Sequence, residues 1–300
     1  MRLRYLPLDL AMFSAAVLCA AACTSAPIGS SPGVVNVVAG ENFWGSIASQ
    51  LGGPHVRVTS IVSDPNADPH LYETSASDAA AVAQARLAIE NGAGYDDFVT
   101  KLLAAAGGSN RTVINVQNVL HLTGPDVNPH FWYDIPRVPE VASAIEVGLA
   151  RVDPKDAASF HANLATFDSA LQPITAVLGL IHQRHAGAPV AYTERVPQYL
   201  LLAAGLDVKT PAGFASAIEN GNDPSPGDTA LMDQLVTGHQ VAVLLYNAQT
   251  VSATTQNVRR LAAQVGVPVV PVTETLPPSY RTYQAWQLGQ AQAILRALGG

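Results

Sequence analysis

From Gly33 onward, short apolar runs rich in β-branched residues alternate with alanine-rich stretches of helical pattern, and they do so in two successive sets. The first set of candidate strands is VVNVVAG (34–40), VRVTSIV (56–62), LAIE (87–90) and TVINV (112–116), with helical patterns near 42–51, 76–86 and 95–106. The second is PVAYT (189–193), LDVKT (206–210), VAVLLYN (241–247) and VPVVPVT (267–273), again with helical stretches between. Strand and helix alternating in this way specify α/β architecture, here as two lobes.

Local signals sharpen the outline. Ser75 and Asp78 make a capping box for the helix near 76–86. Asp153 and Pro154 supply an N-cap and a first-turn proline for a long helical stretch reaching about His182, which Pro173 should kink or break. The Gly/Pro-rich stretch 211–227 predicts a long surface loop. At 300 residues, 48% hydrophobic and 13% charged, the chain is long enough to pack both lobes. A net charge of -7 offers no basic face to a phosphate backbone, so nucleic acid is not an expected partner.

The first residues follow another logic. Arg2 and Arg4 precede an apolar run from Leu10 to Leu18 and a small-residue stretch ending at Cys23. The apolar run is too short for a stable membrane span and predicts an export signal over 1–22. Small residues before a cysteine resemble the bacterial lipoprotein processing site, which implies a lipid on Cys23 and anchoring to the outer face of the cytoplasmic membrane; plain secretion to the periplasm is the alternative. Both cysteines, Cys19 and Cys23, lie in this segment, so the exported domain has neither a disulfide nor a thiolate ligand. The expected organisation is a leader (1–22), a lipidated tether (23–33), an N-terminal α/β lobe (34–152), a linker helix (153–186) and a C-terminal α/β lobe (187–300), as a monomer.

Chemistry concentrates in four residues. Asp68-Pro69-His70 is echoed by Asn128-Pro129-His130. In each, a proline of fixed φ restricts where the imidazole points, and a ligand held in place loses less entropy on binding a metal. A lone loop histidine is usually just solvated; two matched Pro-His loops argue for a pair of ligands. Glu194 follows PVAYT and Glu274 follows VPVVPVT, so each acid falls where a strand ends, the region in which open parallel sheets bind ligands. A carboxylate favoured by a helix N-terminus is the competing explanation for either one. Together two neutral imidazoles and two carboxylates offer up to six donor atoms, and their charge of -2 balances a divalent cation. Split between two lobes, they place the ion in an interlobe cleft.

The segments GENFWGSIASQLGG (40–53), SDPNADPHLYETSASDAAAVAQA (63–85), NGAGYDDF (91–98), NPHFWYD (128–134), TERVPQYLLLAAGL (193–206) and VLLYNAQT with VTETLPP (243–278) resemble, in the same order, the metal-binding solute-binding proteins of zinc/manganese ABC importers, the cluster A-I family. That resemblance implies two α/β lobes bridged by one long helix and a buried four-ligand site formed by His70, His130, Glu194 and Glu274. It also implies a bound ion that is cargo, delivered to an ABC permease served by a separate ATPase. Family members usually carry Asp where Glu274 stands, and zinc-type relatives often carry His where Glu194 stands. Oxygen-rich ligation leans towards Mn(II) or Fe(II), whereas the affinity order of divalent ions favours Zn(II) over Mn(II).

Gly92-Ala93-Gly94 begins like a dinucleotide fingerprint, but Asp97 stands where the third glycine would be, and a strand-to-helix turn is the better reading. None of Lys101, Lys155 and Lys209 follows a glycine, so the chain has no phosphate loop. His55, His121, His161, His182, His185 and His239 lack the Pro-His context and are read as surface or structural residues. Two histidines and a carboxylate also make the facial triad of a metal-dependent hydrolase or non-haem iron enzyme, the alternative function. A fourth protein ligand argues against it, because catalysis needs an open position on the metal. A metal-stabilised adhesin is a third reading that no residue motivates.

Overall fold

The computed structural model describes Met1 and residues 33–65, 72–108 and 110–299. The expected leader beyond Met1, the lipidated Cys23, the tether before Gly33, and His70 lie outside the described residues.

The first lobe runs β1 (Val35–Glu41), α1 (Asn42–Gly52), β2 (Val56–Val62), α2 (Ala76–Gln84), β3 (Leu87–Glu90), α3 (Asp97–Ala106), β4 (Thr112–Asn115), α4 (Val116–Val119) and α5 (Val138–Val152). Its four strands are parallel in the order β2-β1-β3-β4, with Val37 of β1 registered to Val58 and Leu87. The second lobe runs β5 (Pro189–Tyr192), α7 (Gln198–Ala203), β6 (Asp207–Val208), α8 (Ala212–Glu219), α9 (Pro226–Thr237), β7 (Val243–Asn247), α10 (Ala253–Val265), β8 (Val269–Val272) and α11 (Tyr283–Ala297). It repeats the arrangement as β6-β5-β7-β8, with Leu245 registered to Tyr192 and Val270. The two-lobe α/β reading holds. Every residue of β3 and of β7 is buried, as parallel strands covered on both faces require.

Between the lobes, α6 (Ala157–His185) is a single helix that runs through Pro173 without the expected break. Phe160, Phe167, Leu171, Ile174, Leu178 and Ile181 form its buried stripe, and packing of that stripe against α1, α5 and α11 outweighs the hydrogen bond a proline forfeits. Asp153 does not act as the expected N-cap. Its side chain makes no capping bond, because Pro154–Asp156 first form a 3-10 turn and α6 begins only at Ala157. The Ser75–Asp78 capping box is present in full.

Residues 211–227 are not one long loop. Phe214, Ala215 and Ile218 form an apolar face that folds as α8, and Ser225 caps α9 by accepting from the Asp228 N–H. Gly213 is what lets these two helices approach: a Cβ there would lie 2.5 Å from Asp228 Oδ2. The turn residues had hidden a burial pattern.

In each sheet the strand order reverses once, between β1 and β3 and between β5 and β7. Loops leaving neighbouring strands diverge at such a point and open a crevice at the strands' carboxyl ends. Glu41 ends β1, Asn247 ends β7, and Glu194 and Glu274 lie two residues beyond β5 and β8. The fold thus delivers polar side chains from both lobes to one layer.

Candidate metal centre

His130 precedes a 3-10 turn, Phe131–Tyr133, whose three aromatic side chains are all buried. Asn128 fixes its ring. The Asn128 amide donates to the carbonyl of Arg195 and to Gln198 Oε1, both at 3.0 Å, which turns Asn128 Oδ1 towards His130. Oδ1 lies 2.6 Å from His130 Nδ1, so Nδ1 is the donor of this bond and Nε2 is the nitrogen turned into the network. A metal-ligating histidine is commonly held this way, its other ring nitrogen donating to a carbonyl oxygen.

His130 Nε2 faces Glu274 Oε2 at 3.8 Å, and both side chains are fully buried. Two metal–ligand bonds of about 2.1 Å can span up to about 4.2 Å, so one ion can bridge this nitrogen and this oxygen. Glu274 is itself held from several sides. Tyr95 donates its hydroxyl to Oε2 at 2.8 Å from the first lobe, and Asn247 donates to Oε1 at 2.7 Å from the second. Burial, together with the nearby Glu274, Glu41 and Glu194, pushes the Tyr95 hydroxyl well above its usual range, so it remains a donor.

Glu194, 1% exposed, joins through Asn247, whose amide donates to its Oε2 at 2.6 Å. The Asn247 backbone N–H donates to Thr193 Oγ1, pinning the ends of β5 and β7 together. Among the described residues no three His, Cys, Asp or Glu side chains form a metal-holding group on their own. His130, Glu274 and Glu194 are brought into one buried network. Gln249 links the end of the first lobe's described loop to the network: its Nε2 donates to the Pro65 carbonyl at 3.1 Å, and its Oε1 accepts from the backbone of Glu274 and Thr275.

The surroundings shield the network from water. Trp132 lies 5.2 Å from the His130 ring and Tyr95 5.8 Å from it. A cleft of about 1020 Å³ opens between the lobes alongside, lined by Tyr95, Pro129, Tyr192, Arg195 and Gln198 among others. Asn42 of the first lobe ties to the second at Leu276, donating to its carbonyl and accepting from its backbone N–H. Gly92-Ala93-Gly94 is a turn leading to α3, and its fold is set by Asp96, whose carboxylate accepts from the backbone N–H groups of Asn91 and Gly92.

Four supporting residues, Tyr95, Asn128, Asn247 and Gln249, were not singled out by charge or spacing. Asn128 stood within the repeated Pro-His motif, and Tyr95, Asn247 and Gln249 lay in segments that carried the family resemblance without being assigned a role. Glu41 was missed as well. It is fully buried, with neither carboxyl oxygen hydrogen-bonded to another of the described residues. Burial and the neighbouring Asp96 raise its pKa well above the ordinary range. Burial also lifts Asp96, to about 7.

Glu41 gives the metal-free protein a pH dependence of calculable sign. Above the ordinary carboxylate value the unfolded chain releases this proton while the folded chain keeps it, so stability falls as pH rises towards the folded value. Glu41→Gln keeps the size and removes the proton. The thermal midpoint of the variant should fall less steeply than that of the parent between about pH 5 and pH 8, with Asp96 supplying a residual slope. Parallel curves would show that Glu41 is not the group responsible.

The family described as ZnuA, zinc-uptake complex component A, periplasmic, matches residues 37–297. Among curated relatives, the manganese-binding lipoprotein MntA of Halalkalibacterium halodurans is 27% identical over 201 residues, 63% of this chain. The chain spans 65% of the length of that relative. The periplasmic zinc-binding protein TroA from Treponema pallidum has the same fold, with a TM-score of 0.74 at 18% identity over 89% of this chain and 99% of its own. So does the solute-binding protein FpvC from Pseudomonas aeruginosa, solved with Mn2+, with a TM-score of 0.74 at 22% identity over 89% of this chain and 98% of its own. With 37–297 matched end to end and the two-lobe fold shared, the chain belongs to the family of the periplasmic component A of zinc-uptake complexes.

Proposed function

We propose that the protein is an extracytoplasmic receptor that captures one divalent transition metal ion between its lobes and delivers it to an ABC import permease driven by a separate ATPase. The observation that carries this reading is the pair His130 Nε2 and Glu274 Oε2. They are fully buried and 3.8 Å apart, with the imidazole ring oriented by Asn128. The proposed ligands are His70, His130, Glu194 and Glu274, drawn from both lobes, here taken as 34–152 and 187–300 about a linker at 153–186. Zn(II) and Mn(II) are the leading cargoes, supported by relatives named for zinc and for manganese, with Fe(II) as a further candidate. A lipid on Cys23 would hold the receptor, as a monomer, at the membrane beside its permease, in keeping with a relative named as a lipoprotein. The hydrolase alternative loses its motive, since the family is one of uptake components rather than enzymes.

The test is calorimetric titration of the metal-stripped protein with Zn(II) and Mn(II) in one buffer. One tight equivalent per chain is expected. No saturable site for either ion would remove the basis of the receptor reading.

A further inference from the structure

The net charge of -7 hides a local reversal at the amino ends of the first sheet's strands. Arg57 of β2 is registered to Asn36 of β1, the Arg86 N–H donates to the Asn36 carbonyl, and the Thr112 N–H donates to the Arg86 carbonyl. Arg57, Arg86 and Arg111 therefore stand along one edge of the sheet, and Arg86, Arg111 and Arg151, the last from the end of α5, line one open recess of about 620 Å³. Among the described residues none of these four guanidinium groups is ion-paired with a carboxylate. Of the acids that follow α5, Asp153 is 6% exposed and Asp156 is engaged by His55 and Lys155; Glu146 lies more than a turn back along the helix. Apolar side chains interleave with the cations. Val113 lines the same recess at 46% exposure, and Val147, 60% exposed, lies one turn before Arg151 on the same face of α5. Cations set among exposed apolar groups suit the headgroup region of an anionic membrane.

We propose that this amino edge is a docking surface that seats the first lobe on anionic lipid headgroups. The proposal rests on the lipid at Cys23 put forward above. What selects lipid as the occupant is the point at which the chain enters. Gly33 lies two residues before β1, so the ten steps from Cys23 to Gly33 join the anchor to this same edge and reach at most about 35 Å. An edge tethered within that reach meets headgroups at high effective concentration, so modest attraction by each arginine suffices. The metal network lies at the other end of the same strands, since β1 runs about 20 Å from Val35 to Glu41. Seating the amino edge on lipid turns the network away from an anionic surface that would compete for the cation.

The test uses the processed, lipid-bearing full chain on phosphatidylcholine vesicles with or without phosphatidylglycerol. Val147→Cys supplies one free thiol for a fluorophore once Cys19 is cleaved off and Cys23 is lipidated, and Val251→Cys, at a side chain 52% exposed in the second lobe, is the control position. A headgroup quencher should dim the label at 147 on phosphatidylglycerol vesicles, and neither on phosphatidylcholine alone nor in high salt. The label at 251 should stay bright throughout. Arg86→Gln combined with Arg151→Gln, both at exposed side chains, should lower the docked-to-undocked ratio about 25-fold, about fivefold for each cation removed from an anionic surface, while zinc titration stays unchanged. Equal quenching on both kinds of vesicle, or quenching unmoved by the double variant, would overturn the proposal. An anchored chain that stays undocked on lipid alone would also overturn it and leave an acidic protein surface as the occupant. A chain that fails to float with vesicles in high salt lacks the anchor, and that reading falls together with the proposal.

Discussion

If His130 is a ligand as proposed, His130→Ala should lower the affinity for Zn(II) by more than about 100-fold, because even groups that merely support a metal ligand contribute about 10- to 100-fold. The substitution removes an imidazole nitrogen whose ring is oriented by Asn128 and which faces Glu274 Oε2 at 3.8 Å. It also removes the ring N–H that Asn128 Oδ1 accepts, leaving that oxygen only the longer 3.2 Å bond from the backbone N–H of residue 130. His70→Ala should act in the same direction. His121→Ala is the control: His121 is exposed at the end of a short turn, and its loss should leave the titration unchanged. If the three variants bound zinc alike, the ligand set would have to be abandoned.

Trp132→Ala has the second large effect, on stability as well as on the site. Trp132 is fully buried and stacks on Phe43 with ring centroids 4.0 Å apart and planes 19° from parallel. Its backbone carbonyl accepts the hydroxyl of Tyr283, tying the turn after His130 to α11 in the second lobe. Truncating a buried aromatic of this size costs about 3–5 kcal/mol, the lost transfer free energy plus the cavity left behind. Urea unfolding of the metal-free protein should show a loss of stability of that size, read as the midpoint shift multiplied by the denaturant slope, whereas Leu202→Ala, at a side chain 56% exposed, should barely move the midpoint. Zinc affinity should drop too, since the His130 ring rests against Trp132. A Trp132→Ala midpoint within error of the parent would mean that this aromatic cluster does not join the lobes.

Much of the fold was legible in local pattern. Parallel strands buried on both faces must be apolar almost throughout, so runs such as LAIE and VLLYN stand out against alanine-rich helices. Glu194 and Glu274 were visible for a related reason: an acid just past such a run sits at a strand's carboxyl end. α8 was hidden because its three core contacts lie among glycines, prolines and polar residues, and turn chemistry there says nothing about what packs beneath. Asp153 misled in the opposite way, offering a good cap-and-proline signal that the 3-10 turn before α6 preempts.

Sequence alone determined the two α/β lobes, the long helix between them and the residue types able to hold a divalent ion, because periodicity, turn chemistry and charge are properties of short stretches. Only the tertiary structure decided how those side chains are held. Tyr95 reaches Glu274 across 179 positions, and Asn247 meets Glu194 across 53, at the point where β5 and β7 part. Neutral amides and hydroxyls of this kind carry no charge or spacing to mark them. Their role comes from the order of strands in the sheet, which sets which loop ends meet and so which polar side chains hold the two carboxylates.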